Sequence, residues 1–209
     1  ALFVHEGVDY TFCQPHIRKL GLDSKNMLEN SYYSYAYRLK NGLSLEHTLY
    51  TTGQNLAKMI ADKGIRATVN DSHAGNWQNF KQTASPLPDG TATKITAAFS
   101  GSYVSTFNYD AATDRYIKQN HNDKNSGNPL SVKNVVVLFT TTSYFDNEGY
   151  RVNISLNGGS GYYFSNGTYQ QINWAKGGTY DRLKLTDVNG NPLAYNPGNS
   201  WVCIVNNGM

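Results

Sequence analysis

The stretch that most constrains the fold is "GYYFSNGTYQQINWAK", residues 161–176. Two runs of strand-favouring residues flank Asn166-Gly167, the pair that suits a two-residue hairpin turn in which both central residues take positive φ. The same pattern continues on both sides. "ATKITAAFS" and "SYVSTFNYD" read as strands, and "KNVVVLFTTT" (133–142) is the most apolar of them. A turn at "DNEG" leads to "YRVNISL"; beyond the hairpin come "DRLKLTD", a second pair at Asn189-Gly190, and "SWVCIV". Strands joined by short turns predict an antiparallel meander or barrel-like sheet.

The front of the chain reads differently. Residues 1–5 read as a buried strand ending at His5-Glu6-Gly7, followed by a helix from about Asp9 to Leu20 with Gly21 as its stop, although Pro15 opposes a helix interior. Tyr33, Tyr35 and Tyr37 alternate with smaller or charged residues, which is the period of a strand. Thr51 and Gln54 fit a capping box. Leu56, Met59 and Ile60 follow at helical spacing, and Gly64 can close the helix. "PLPDGT" (86–91) reads as a linker. The expectation is an α+β chain: a small α/β front region, 1–90, and a mainly antiparallel, β-rich region, 91–209.

Composition narrows the function. The chain carries 16 tyrosines and 19 glycines among 209 residues and only 16% charged residues. That mix suits a turn-rich β-fold with wet surfaces, of a kind common outside the cytoplasm. Residues 1–90 hold nine Lys/Arg against eight Asp/Glu, and the rest nine against seven, which sums to the net +3. Neither region is a basic arm, so no nucleic acid is expected as a partner. No apolar run reaches 18 residues. Cys13 and Cys203 are expected as free, mostly buried thiols, since no Cys/His spacing marks a zinc site. The chain opens without Met inside the apolar run "ALFVHEG", from which upstream residues are expected.

The segments "LFVHEG" (2–7), "EHTLYTT" (46–52), "YDAATDRYIKQNHNDKNSG" (109–127), "KNVVVLFTT" (133–141), "GYYFSNGTYQQINWAK" (161–176) and "PGNSWVCIV" (197–205), in this order, resemble the YerB-like family of bacterial lipoproteins, whose domains have no assigned function. The resemblance covers most of the chain. It implies an α/β front part, a β-rich back part, and an extracytoplasmic protein of the cell envelope, held at the membrane only through a lipid anchor on an N-terminal cysteine absent from this chain. It also implies a further segment ahead of the "VH.G" motif. The sequence departs from its relatives at Glu46 and Thr48, where they tend to have Pro and Asn, and at Lys118, where they usually have Arg. The resemblance supplies no substrate, reaction or cofactor.

Three stretches have residues suited to chemistry. His47, Tyr50 and Thr51 stand before a helix whose free N–H groups and dipole attract anions. His5 and Glu6 end a strand of an α/β region, the usual place for a ligand. Arg115 with His121 and Asp123 could receive an anion, or Asp123 could orient His121 as a base. His5, His47, His121 and Asp123 would also suit a divalent ion, but a nearby Arg115 favours an anion. Tyr162, Tyr163, Phe164, Tyr169 and Trp174, with Lys176, read as cross-strand packing or as a surface that stacks on sugar rings. No phosphate-cradling glycine loop and no Gly-x-Ser-x-Gly elbow occurs. The expected role is therefore binding of an anionic glycan or phosphorylated polymer. The alternatives are a hydrolase or transferase acting on a phosphoester or glycan linkage, and a protein–protein interaction module.

Overall fold

A computed structural model describes residues 2–68, 79–120, 130–145, 147, 152–178 and 181–207. The chain forms two compact units, Ala1–Gly75 and Asn76–Met209.

In the first unit, β1 (Phe3–His5) runs parallel to β2 (Ser24–Asn26), and α1 (Cys13–Lys19) connects them. A parallel pair needs such a crossover. Phe3 is exposed, while Val4 and His5 are half-buried, so β1 is less covered than its apolar sequence predicts. The helix is shorter than predicted. The carbonyl and side chain of Asp9 cap its approach, receiving the N–H groups of Thr11, Phe12, Cys13 and Gln14. Pro15 thus falls in the first helical turn, where a missing N–H costs no intrahelical bond. Cys13 is exposed there, contrary to expectation.

The tyrosine alternation does not make a strand. Tyr33–Tyr35 forms a 3-10 turn, and only Tyr37–Arg38 (β3) is extended, pairing with Leu49–Tyr50 (β4). Of the three tyrosines only Tyr35 is buried, in a core with Met27 and Met59. Its hydroxyl donates to Asp62 at the end of α2 (Gly53–Asp62). That bond anchors the turn to the helix, which overrides the local period. The cap of α2 is Thr52, whose side chain receives the Asn55 N–H at 3.1 Å; Thr51 lies one residue before the cap.

The second unit is built from sheets. Asn79–Phe80 (β5) and Gly90–Thr91 (β6) join it along the edges of later strands. β7 (Lys94–Ala98), β8 (Val104–Asp110), β9 (Arg115–Asn120) and β10 (Ser131–Val132) form a four-stranded antiparallel sheet in which β7 and β10 are the edges. β11 (Asn134–Thr140) begins the larger sheet, and β12 (Thr142–Tyr144) and β13 (Val152–Ile154) form a separate hairpin. β14 (Gly159–Ser165) and β15 (Thr168–Ala175) are joined by the predicted Asn166-Gly167 turn, with φ of 56° and 67°. β16 (Lys184–Asp187), β17 (Ala194–Tyr195) and β18 (Ser200–Asn206) follow.

The larger sheet has the order β16-β15-β14-β11-β18, with β6 beside β15. All its pairs are antiparallel except β11 with β18, which is parallel over Asn134–Thr140. The mainly antiparallel α+β fold is as predicted, but the last strand does not continue a meander. β11 is apolar at nearly every position because both its faces are covered. Val135 and Val137 pack with Ile95, Phe107 and Tyr116 of the smaller sheet, whereas Val136 and Leu138 pack with Leu87, Tyr163, Trp174 and Tyr195.

Candidate functional site

The first unit brings four of the sequence-predicted residues together. His5, Glu6, Tyr50 and Thr51 line a hollow of about 150 Å³ with Val4 and Met27 on its apolar side. Strand pairing explains the convergence. His5 sits opposite Asn26 at the carboxyl ends of β1 and β2, and β4 presents Tyr50 just before Thr51.

Glu6, Thr51 and His5, three of the polar residues lining this hollow, are already held. Glu6 forms an ion pair with Arg38 at 2.6 Å, with both side chains about one-fifth exposed. The Arg38 guanidinium also donates to the Leu45 carbonyl and the Thr48 hydroxyl. The bond to Glu6 raises the Arg38 pKa above its ordinary value, against the opposing effect of burial. Thr51 donates its hydroxyl to the Tyr35 carbonyl. His5 Nδ1 lies 2.5 Å from the Gly7 carbonyl and Nε2 lies 2.8 Å from Ser24 Oγ. A carbonyl only accepts, so Nδ1 bears the proton and Nε2 of the neutral ring receives the Ser24 hydroxyl. An imidazole fixed at both nitrogens is a wall, not an acid–base group.

His5 also lines a second, larger hollow of about 360 Å³, between α1 and the β1–β2 pair. Gln14, Arg18, Ser24, Asn26 and Glu29 supply its polar lining. Asn26 is buried, and its Oδ1 receives the N–H groups of Gly7 and Leu28, which fixes both chain segments leaving the strand ends. Its amide nitrogen has no hydrogen-bond partner among the described residues. Arg18 is exposed and forms no ion pair among the described residues. Neither role has a local sign in the sequence. Arg18 resembles an ordinary cation in the last turn of a helix, and Asn26 matters only through partners distant along the chain.

His47 does not take part. It lies on a 3-10 turn, Leu45–His47, which β4 separates from α2. Its side chain is 65% exposed, with the Glu46 carboxylate 3.9 Å from Nε2.

In the second unit, Arg115 has a structural set of partners. Its guanidinium donates to Ser131 Oγ and carbonyl oxygen and to Asn199 Oδ1, tying β9 to β10 and to the approach of β18. His121 and Asp123 lie outside the described residues. Next to Arg115, Asp114 pairs with Lys133 and accepts the Tyr109 hydroxyl at 2.7 Å. Partial burial opposes ionisation of Asp114, but the bonds from Lys133 and Tyr109 prevail and lower its pKa. Burial and the Asp114 carboxylate push the Tyr109 hydroxyl up to about 12.

The aromatic run divides by strand period. Tyr163 and Trp174 are buried in one core, while Tyr162, Phe164 and Tyr169 lie half-buried on the opposite face. Among the described residues, no group of three His, Cys, Asp or Glu side chains is placed to hold a metal ion. Among them, too, no helix is long and apolar enough to cross a membrane.

Comparison with known proteins places this geometry in a family. The family model described as "Protein of unknown function (DUF3048) C-terminal domain" matches residues 95–202, just over half of the chain. The crystal structure of YerB protein from Bacillus subtilis is similar, with a TM-score of 0.74 at 21% identity. The match covers 98% of this chain and 67% of that one. No curated protein matches the chain.

Proposed function

Because the chain belongs to the DUF3048 family, whose description assigns no activity, we propose its function from the first unit: it is a binding module of the bacterial envelope, holding an anionic group of a glycan or phosphorylated polymer between α1 and the β1–β2 pair. One observation carries this reading. The 360 Å³ hollow combines Arg18, a guanidinium with no ion pair among the described residues, with the amides of Gln14 and Asn26. Arginine recognises phosphate and carboxylate in a fixed, two-pronged geometry. The amides add donors to the same group, and Glu29 in the lining favours a ligand that also carries hydroxyls.

Binding fits better than hydrolysis because the wall residues are fixed by their neighbours. His5 has both ring nitrogens engaged, and Glu6 is paired. Neither is free to move a proton. The extracytoplasmic location rests on the resemblance to envelope lipoproteins and on a tyrosine-rich, weakly charged composition.

Titration with a poly(glycerol phosphate) oligomer, with uncharged dextran as the control, tests the reading. The oligomer binds and the dextran does not, and added salt weakens binding because the contact is ionic. Arg18→Glu reduces affinity by about tenfold or more, as expected for loss of a charge-assisted contact. Equal affinity in that variant, or no binding by the unaltered protein, overturns the proposal.

A further inference from the structure

The second unit has an unfilled place in its β-structure. Among the described residues, the four strands of the smaller sheet leave part of the larger sheet uncovered, and that part is aromatic. Phe139, Tyr162 and Phe164 line a hollow of about 460 Å³ whose opposite wall is the edge strand β7. The rings form one surface, with centroids 5.9 Å apart for Phe139 and Tyr162 and 6.0 Å for Tyr162 and Phe164. Tyr169 continues it, 5.9 Å from Tyr162.

β7 faces this hollow with the side that has no strand partner among the described residues. Every residue from Lys94 to Ala98 lines it, as expected when a strand presents its edge and not one face. The bonds Tyr109 N–H to Thr93 and Phe99 N–H to Tyr103 fix the register with β8. In an antiparallel ladder, bonded pairs alternate along the strand. The odd-numbered residues of β7 therefore bond to β8, and the N–H and C=O groups of Lys94, Thr96 and Ala98 turn to the open edge. Their spacing of roughly 6.8 Å is that of alternate residues in any extended chain.

We propose that β7 is a docking edge for an extended peptide segment of a partner protein, which adds as a fifth strand to the smaller sheet and covers the aromatic floor. Side chains of the added strand that point inward are apolar and rest on Phe139, Tyr162 and Phe164. Those that point outward lie beside Lys94 and Thr96, whose side chains face solvent. Lys94 is the one charged residue lining the hollow and has Asn108 as its cross-strand neighbour on β8. The residue opposite Lys94 in the incoming strand is therefore Asp or Glu. Backbone bonds give affinity to such an added strand, and alternate side chains give selectivity.

Selection of a random linear dodecapeptide library on the intact protein tests this, with the enriched peptides synthesised and titrated. The peptides share apolar residues at alternate positions and an acidic residue among the intervening ones. Thr96→Pro removes an outward N–H while leaving the β7–β8 ladder bonds in place, as edge strands tolerate. It weakens binding roughly tenfold, the effect of one lost backbone hydrogen bond with some displacement of the strand. Lys94→Glu, which leaves the backbone intact, reverses the preference from acidic to basic peptides. No enrichment overturns the proposal, as do enriched peptides that bind both variants unchanged. Self-association lost in Thr96→Pro overturns it in favour of a second copy. A saccharide ligand sensitive to Tyr162→Ala but not to Thr96→Pro overturns it in favour of ring stacking. None of these outcomes depends on Arg18.

Discussion

Tyr163 and Asn134 are fully buried in the second unit and joined by a hydrogen bond of 2.8 Å from the phenol to Oδ1. The same phenol oxygen receives the N–H of Asn196 at 2.7 Å, and Asn134 Nδ2 donates to the Asn196 carbonyl. β11, β14 and the segment before β18 are thereby locked at one point. Burial of the Tyr163 hydroxyl raises its pKa, so the neutral donor is favoured. Tyr163→Phe strands an acceptor and a donor in the core. It lowers stability by about 2–3 kcal/mol, since each buried unsatisfied group costs 1–3 kcal/mol. Urea denaturation measures the loss, with an unchanged m value expected.

Asp114 sets an acid limit to stability. Its carboxyl titrates lower in the folded protein than in the unfolded chain. It therefore stabilises above the unfolded value of about 4, and the contribution is lost as pH falls through the folded value. Asp114 has φ of 52°, which Asn also adopts readily. Asp114→Asn isolates the charge: it lowers the melting temperature at neutral pH and flattens the acid limb of the pH profile. Tyr109 acts in the opposite sense. Its raised pKa stabilises below the unfolded value of about 10, and this is lost as pH rises towards about 12.

The two threonines ahead of α2 separate by mutation. Thr52→Ala removes the N-cap and costs about 1 kcal/mol of stability. Thr51→Ala removes a bond to the Tyr35 carbonyl instead and frees the wall of the smaller hollow. Hydrogen exchange distinguishes them: the Asn55 amide loses protection in the first variant and keeps it in the second.

The thiols differ in reactivity. Cys203 is fully buried on β18, and burial pushes its thiol up to about 11. Cys13 is exposed on α1. The thiolate is the reacting species, so an aromatic disulfide reagent at pH 8 labels Cys13 in the native protein and Cys203 only on unfolding. Prompt native labelling of Cys203 contradicts this packing.

Gly161 has no room for a side chain, since an added Cβ presses on the backbone oxygen of Val137 in the adjacent strand. Gly161→Ala separates β11 from β14 and costs about 1–3 kcal/mol as overpacking, read as a lowered urea midpoint.

The second unit was legible because its signals are local: a period of two, an apolar strand and Asn-Gly at a turn that needs positive φ. The parallel pairing of β11 with β18 was not, because its partners are far apart in sequence and no local pattern records them. Tyr33 to Tyr37 misled for the opposite reason: a regular alternation arose around one core residue, and the bond from Tyr35 to Asp62 decided the conformation. Sequence placed His5, Glu6, Tyr50 and Thr51 among the candidates, and they converge on one hollow. Arg38, Asn26 and Arg18 were missed, since what distinguishes them is who their neighbours are in space.

The position of β18 has a consequence during synthesis. Its neighbour β11 is translated long before it, and until residues 200–206 leave the ribosome the most apolar strand keeps one open side. An unpaired edge of this kind invites association between nascent chains. Slow elongation over residues 200–206 would lengthen that exposure, so the yield of this protein depends on how the codons of β18 are read as well as on its native stability.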